Sequence, residues 1–332
     1  MRILPVLMVL CALVPTSRDT VLADESQWLE FTGKGGPGAG KRIVLVAGDE
    51  EYRSEELMPQ LAKILATHHG FDCTVLFPID PTSGEIKPDQ GDNIPGLQRL
   101  AGADLMIIAT RFRSLPDDQM SHLADYIEGG NPIIGLRTAT HAFNNPATST
   151  YAKYGWQYSG DEYKQGFGRQ VLGETWIAHH GNHGSESTRG VVADASHPIA
   201  TGIGEGEIWG PSDVYRVRLP LPENSHVVFH GQILAGMQPD DAPVTDDRND
   251  PLMPIGWTRE YQGARVFTST MGAATDFVSP GVRRMIINAT YWCVGLEDEI
   301  EPDLNISLVG DFEPTRFGFG GYVKGKRPAD YR

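Results

Sequence analysis

Charged and hydroxyl-bearing side chains follow three apolar runs of the sequence, at the point where each run ends. Such runs are typical of strands that are buried on both faces of a parallel sheet. The carboxyl ends of parallel strands meet at one edge, where open α/β sheets bind their ligands. Carboxylates and guanidinium groups make charge-assisted hydrogen bonds to polar, hydroxyl-rich molecules, and a structural ion-pair network at the rim is the alternative. The side chains predicted to contact a substrate there are Asp49, Glu50, Glu51, Tyr52, Arg111, Arg113 and Thr138.

The end of the fourth predicted strand carries two candidate catalytic residues. A sharp strand-to-helix turn is where many α/β enzymes display a nucleophile, but the segment Gly135-Leu136-Arg137-Thr138 has neither Cys nor Ser. Arg137 stays protonated, so we expect it to anchor the substrate or to stabilise developing negative charge. His141 is a candidate general acid or base, because imidazole titrates near neutral pH. The alternative is that His141 packs against or caps the helix that follows.

A second cluster places His179, His180 and His183 within five positions. Three imidazoles in one loop could ligate Zn²⁺ or another divalent ion, although the His-Glu-x-x-His pattern of helical zinc proteases is missing. Proton transfer to substrate by His179 or His180 is a second reading, and an ordinary hydrogen-bonded loop is a third. A divalent metal is therefore the one candidate cofactor that the sequence offers.

Aromatic residues near Gly, Pro or Asp form a third group. The flat faces of sugars stack on such rings, while neighbouring carboxylates bind their hydroxyl groups. The alternative is that these rings simply cover the core. The predicted sugar contacts in this group are Trp156, Trp209, Asp213, Tyr215 and Asp276.

The elements that must position these groups alternate between strand and helix. Apolar runs predict strands, and 3.6-residue periodicity predicts helices between them. This alternation indicates an α/β domain with a parallel sheet and helices on both faces. Strands are predicted at 42–47, 73–77, 105–109, 132–136, 227–229, 253–258 and 264–269, and the main helices at 54–68, from 116 to 128, and at 282–293.

Composition and the two ends of the chain limit location and partners. The 332 residues include 28 basic and 43 acidic ones, a formal charge of −15, which argues against binding to nucleic acid or anionic lipid. Residues 1–23 have the layout of a secretory signal peptide, which predicts an exported, periplasmic or secreted protein with no membrane contact after cleavage. Residues 24–40 are predicted to be a flexible lead-in, and 297–332 an extended tail. A homo-oligomer and a bond between Cys73 and Cys293 are left open.

Five segments taken together resemble the ThuA-like family, which is named for trehalose utilisation. The similarity extends over about residues 41–296 and is carried by residues 44–52, 132–141, 197–202, 209–215 and 255–267. It implies a flavodoxin-like three-layer fold with a mostly parallel central sheet, within the class I glutamine amidotransferase-like superfamily. The exported subgroup with an Arg-Thr-Ala-Thr-His corner and a Phe-Gly-Phe-Gly-Gly tail is especially similar. Amidotransferases of the superfamily carry Cys where this chain has Arg137, so glutamine amidotransferase activity is not expected.

Three hypotheses follow for the function. The resemblance implies carbohydrate breakdown, and the polar edge suits an isomerase, lyase or hydrolase that acts on a sugar or keto-sugar by general acid/base chemistry. A non-catalytic carbohydrate-binding module on a degenerate amidotransferase-like fold is the second hypothesis. A metal-dependent hydrolase that uses the 179–183 loop is the third.

Overall fold

The computed structural model describes residues 27–332, so the predicted signal peptide and the first residues of the lead-in lie outside the described residues. Ten strands form one large sheet, and two short strands form a separate ribbon. The sheet strands are β1 (Trp28–Phe31), β2 (Arg42–Gly48), β3 (Asp72–Leu76), β4 (Leu105–Thr110), β5 (Ile133–Leu136), β7 (Ser187–Val192), β8 (Trp209–Gly210), β10 (Ser225–Leu234), β11 (Met253–Tyr261) and β12 (Ala264–Ser269). The ribbon pairs β6 (Ala178–His179) with β9 (Tyr215–Arg216), and the α-helices are α1 (Ser54–His69), α2 (Asp117–Glu128) and α3 (Pro280–Cys293).

The centre of the large sheet is parallel. Its strands lie in the order β3, β2, β4, β5, β12, and each neighbouring pair is parallel. The turn at Gln262-Gly263 has φ angles of 51° and 81°, the positive values of a two-residue hairpin turn, and it reverses the chain between β11 and β12. Beyond this hairpin the strands are antiparallel, and β1 adds one antiparallel strand at the other edge. The predicted flavodoxin-like α/β fold is confirmed, with a mixed sheet around a parallel centre.

The sheet separates two apolar cores, which makes the three layers. Successive side chains of a strand point to opposite faces, so β2 contributes to both. Ile43 and Leu45 pack in the core that contains α1 and α3, whereas Val44 and Val46 pack in the core that contains α2. β2 and β4 are buried on both sides, and their polar residues are confined to the strand ends.

The two terminal segments pack on this framework. β1 lies within the predicted lead-in, where sequence patterning gave no strand signal. The tail 297–332 runs back past α1, where the carboxylate of Glu56 accepts hydrogen bonds from the N–H and the hydroxyl group of Thr315, both at 2.7 Å. Cys73 and Cys293 are both buried and both free. Between residues 27 and 332, no helix has the length and apolar character needed to cross a bilayer.

The buried carboxyl group of Glu55 predicts a pH-dependent stability. This side chain lies in the first turn of α1, and neither of its oxygens accepts a hydrogen bond from another residue. Burial raises the pKa of Glu55 to about 8. The folded protein therefore holds a proton that the unfolded chain releases above its ordinary pKa, so stability is expected to fall as pH rises from about 5 to 8. Glu55→Gln should remove this dependence and raise the unfolding free energy at pH 8 by a few kcal/mol, on the order of the linkage expected for such a shift.

Urea unfolding of wild type and Glu55→Gln at pH 5 and pH 8 measures this effect. Glu301→Gln, which changes an exposed carboxyl group, is the matched control and should leave both curves unchanged. Equal pH dependence in wild type and Glu55→Gln would contradict the prediction.

Candidate functional site

Strained backbone marks the carboxyl edge of the parallel strands. Arg53, Phe112 and Arg137 have φ angles of 61°, 49° and 46°, in the left-handed region that non-glycine residues seldom occupy. They follow β2, β4 and β5, respectively. Such conformations cost about 1–3 kcal/mol each and concentrate at functional sites. The edge chosen from the sequence is therefore also where the backbone departs from relaxed geometry.

Arg137 is fully buried, and both of its terminal nitrogens donate hydrogen bonds to protein groups, whereas its Nε has no partner among residues 27–332. Its Nη1 donates to the carbonyl oxygens of Asp213 and Thr270 at 2.7 and 2.8 Å, and its Nη2 donates to Asp213 Oδ1 at 2.9 Å and to the Tyr52 hydroxyl group at 3.0 Å. The guanidinium carbon lies 4.4 Å from the ring centroid of Tyr52 and 3.6 Å from that of Tyr215. Arg137 thus holds Asp213 in place, and the side chain of Arg137 does not reach solvent.

Asp213 orients two imidazoles. Its Oδ2 lies 2.8 Å from His179 Nδ1, and its Oδ1 lies 3.0 Å from His183 Nδ1. Burial alone would raise the pKa of Asp213, but Arg137 and the hydrogen bonds from both histidines hold it well below the ordinary value. A carboxylate only accepts, so each Nδ1 carries the hydrogen, and the Nε2 of a neutral imidazole is then an acceptor. This is the arrangement that a general base requires.

The imidazole of His183 also contacts Glu51. His183 Nε2 lies 3.4 Å from Glu51 Oε1, and Arg111 Nε lies 3.6 Å from Glu51 Oε2. Burial, followed by the charge of Asp49, raises the pKa of Glu51. Glu51 can therefore hold a proton at a higher pH than an ordinary glutamate and can donate it. We call His179, Asp213, His183 and Glu51 the imidazole–carboxylate chain.

Glu50 joins two arginines of the neighbouring strand end. It pairs with Arg111 and, at 2.7 Å, with Arg113. Arg113 is buried and also donates to the carbonyl oxygens of Pro88 and Gln90, so it binds loops together. Arg111 is partly exposed.

Three other predicted contacts act inside the protein. Asp49 accepts hydrogen bonds from the N–H groups of Glu51 and Tyr52, and its other oxygen accepts the Thr138 hydroxyl group at 2.7 Å. Asp276 is fully buried and accepts hydrogen bonds from Ser212 and from two backbone N–H groups of the loop after β12. These carboxylates hold the strand-end loops and are occupied by protein donors.

His141 is also enclosed. Its ring centroid lies 4.9 Å from that of Phe112, 5.1 Å from that of Trp176 and 6.0 Å from that of Tyr215. Burial, with smaller contributions from Arg111 and Arg137, lowers its pKa well below the ordinary value. The imidazole is therefore neutral at pH 7, in a position that favours the packing alternative.

The structure separates the three histidines of the loop. His180 Nε2 bonds to the carbonyl oxygen of Arg248 at 2.7 Å, on a different side from its neighbour. His179 and His183 instead meet Asp213, and one ligand atom from each lies within 4.8 Å of the others. Two imidazoles and one carboxylate are a set that binds Zn²⁺ and other divalent transition metals. The candidate metal set thus contains Asp213 where the sequence analysis has His180.

A row of aromatic rings leads to His179. The ring centroid of Trp156 lies 5.1 Å from that of Phe112 and 6.1 Å from that of Trp176, and Trp176 lies 5.8 Å from His179. We call Phe112, Trp156 and Trp176 the aromatic row. Trp156 was predicted, whereas the other two were missed even though Phe112 follows a predicted strand end directly.

The two further predicted aromatics have different positions. Tyr215 is buried within the site, against Arg137 and with its ring centroid 5.6 Å from that of His179. Trp209 lies away from it on edge strand β8, where its indole N–H donates to Ser187 Oγ at 3.2 Å. Phe317 of the tail, which no local signal indicates, packs on Tyr52 and His183.

Together, these features define an α/β protein of the flavodoxin-like type with charged groups, imidazoles and a row of aromatic rings at the carboxyl edge of its parallel strands. The turn after β5, where a nucleophile could be displayed, carries the buried Arg137. The chain belongs to the ThuA family, because the family model, described as trehalose utilisation, matches residues 42–293. Its context is therefore carbohydrate utilisation.

Two solved structures that match this chain are described as putative ThuA-like proteins. The protein from Parabacteroides merdae has 13% sequence identity and a TM-score of 0.47, over 76% of this chain and 90% of that one. The protein from Bacteroides uniformis has 13% identity and a TM-score of 0.46, over 82% and 99%. No curated protein matches this chain in sequence.

Proposed function

We propose that this protein is an exported enzyme of carbohydrate breakdown that moves a proton next to the carbonyl group of a keto-sugar. The observation that carries the proposal is the imidazole–carboxylate chain, in which Asp213 orients His179 and His183 at distances of 2.8 and 3.0 Å. The layout of residues 1–23 supports export. The family context supports a sugar as substrate.

The chain of contacts suits an acid/base reaction without a covalent nucleophile. His179 Nε2 removes the proton from the carbon beside the carbonyl group, and Asp213 stabilises the imidazolium that forms. The electron pair of the broken C–H bond moves onto the carbonyl oxygen, where Arg111 stabilises the enolate. In an isomerisation, the proton of the hydroxyl group on the deprotonated carbon passes to the former carbonyl oxygen, and Glu51 protonates the former carbonyl carbon. In an elimination, the enolate electrons re-form the carbonyl group as the C–O bond on the next carbon breaks, and Glu51 protonates the departing oxygen. His179 then loses its proton to solvent and Glu51 regains one, so both groups return to their starting states.

The aromatic row supports the choice of a sugar. Phe112, Trp156 and Trp176 are each partly exposed and end beside His179. Rings in this position can stack on the apolar face of a sugar, while Glu50 and Arg111 bind hydroxyl groups. This edge therefore combines a stacking surface with charged hydrogen-bonding groups.

Solvent deuterium exchange tests the proposal directly. Disaccharides with one hydroxyl group oxidised to a ketone are incubated with the protein in D₂O and followed by proton NMR. We expect loss of the signal of the proton beside the carbonyl group, with or without a new product. A folded protein that exchanges no proton in any keto-sugar would contradict the proposal, and saturable binding without exchange would favour the binding-module alternative.

The set of His179, His183 and Asp213 favours a second candidate, metal-assisted hydrolysis. A bound divalent ion would activate water at this position. Protein purified without chelator and dialysed against trace Zn²⁺ or Mn²⁺ would then hold about one ion per chain, and His183→Ala would lose it. His180→Ala, whose imidazole bonds to Arg248 instead, is the matched control and should keep the ion. Substoichiometric metal in the wild type, measured by elemental analysis, would remove this candidate.

A further inference from the structure

The C-terminal tail crosses the loop that follows β2. The N–H of Gly318 donates to the carbonyl oxygen of Glu51 at 2.7 Å, and the carbonyl oxygen of Gly318 accepts from Arg53 Nη2 at 2.6 Å. Together with the bonds of Thr315 to α1, these contacts hold residues 315–318 against the loop that carries Glu51. The side chains of this segment are consequently presented at fixed positions beside the imidazole–carboxylate chain.

Two phenylalanines of the segment have opposite surroundings. The ring of Phe317 is buried, with centroids 5.5 Å from Tyr52 and 5.3 Å from His183. The ring of Phe319 is 64% exposed, more than the other large hydrophobic side chains exposed on residues 27–332. Phe317 therefore fastens the tail to the site, and Phe319 has an open face.

Phe319 lies next to Arg111, a charged group of the same edge. The guanidinium carbon of Arg111 is 4.9 Å from the centroid of Phe319 and 4.5 Å from that of Phe112, so Arg111 contacts both aromatic rings. Phe112 belongs to the aromatic row, which leads to His179. Arg111 thus connects the stacking surface that leads to the proposed base with the exposed ring on the tail.

We propose that Phe319 and Arg111 form a second sugar-binding subsite, which takes the distal ring of a disaccharide whose reacting ring lies on the aromatic row. Stacking on a sugar would bury the open face of Phe319, and burial of apolar surface is favourable. Arg111 supplies hydrogen bonds to the hydroxyl groups of both rings. This inference rests on the proposed function and deepens it by naming a disaccharide as the substrate class.

Steady-state kinetics of Phe319→Ala on a keto-disaccharide and on the matching keto-monosaccharide test the subsite. We expect KM for the disaccharide to rise about tenfold, which is the size of a single aromatic stacking contact, with kcat within about twofold. KM for the monosaccharide should not change, and Phe319→Trp should keep the wild-type KM for the disaccharide. Val323→Ala, at an exposed apolar position of the same tail, is the matched control and should behave as wild type.

Calorimetric titration with trehalose and with glucose separates failure of the subsite from failure of the proposed function. If the wild type binds trehalose more tightly than glucose and Phe319→Ala removes the difference, the subsite stands even without turnover. If Phe319→Ala leaves turnover and binding unchanged, or reduces them equally for the monosaccharide and the disaccharide, the subsite is overturned and the proposed function is not. A wild type that neither binds sugars nor exchanges protons overturns both proposals.

Discussion

Replacing His179 by alanine is expected to lower kcat on a keto-sugar by about 10²–10⁴-fold, the usual contribution of a positioned general base. Its side chain is 37% exposed and is held by Asp213, so Nε2 is available to substrate. Asp213 keeps its bonds to Arg137 and His183 in the variant, so the fold should survive. Rates of deuterium exchange and product formation, measured over a pH series, check this prediction.

The neighbouring histidines supply the comparison. His180→Ala removes an imidazole of the same loop that bonds to the carbonyl oxygen of Arg248, and its kcat should remain within about twofold of wild type, as for a group outside the reaction. His141→Ala tests the other candidate base. A large loss of kcat in His141→Ala together with full activity in His179→Ala would show that His141, and not His179, is the general base.

Replacing Arg137 by methionine is expected to destabilise the protein by about 3–5 kcal/mol, the usual cost of breaking a buried ion pair from one side. The substitution leaves the buried carboxylate of Asp213 without its charged partner. It also removes the donor to the carbonyl oxygens of Asp213 and Thr270. Arg137→Lys should recover only part of the loss, because an ammonium group cannot reproduce the planar set of donors. The free energy of urea unfolding measures the effect.

A control and a double variant make this prediction specific. Arg216→Met changes an exposed arginine on β9 and should alter stability by less than about 0.5 kcal/mol. Combining Arg137→Met with Asp213→Asn removes both charges, and the double variant should be less destabilised than the sum of the two single variants. An unfolding curve of Arg137→Met that matches wild type would show that Arg137 does not hold this site.

The order of the central strands and of the helices was readable from the sequence because the signals are local. The runs that form β2 and β4 are apolar except at their ends, as strands covered on both faces must be, and the residues after them are charged because only the strand ends leave the core. The same reasoning placed Glu51, Arg111 and Arg137 at one edge. It did not find β7, on the antiparallel side of the sheet, or β1, which is four residues long and forms an edge strand through pairing with the distant β3.

Tertiary structure decided which side chains at that edge bind other protein groups and which belong to the proposed site. Whether a carboxylate binds substrate or protein depends on which donors surround it. Asp49 accepts from the backbone of its own loop and from Thr138, whereas Glu51 reaches His183. These partners come from segments far apart in the chain, so residue type and spacing could not distinguish the two acids.

Two features of the proposed site show the same limit. His179 and His180 are adjacent, but His179, at the end of β6, meets Asp213, whereas His180, just beyond the strand, bonds to the carbonyl oxygen of Arg248. The tail reaches this edge because Gly318 bonds to the backbone of Glu51. The sequence by itself determined the layers and the polar edge, since burial and periodicity act along the chain. The pairing of charges and the aromatic surface of the tail arose only when distant segments met.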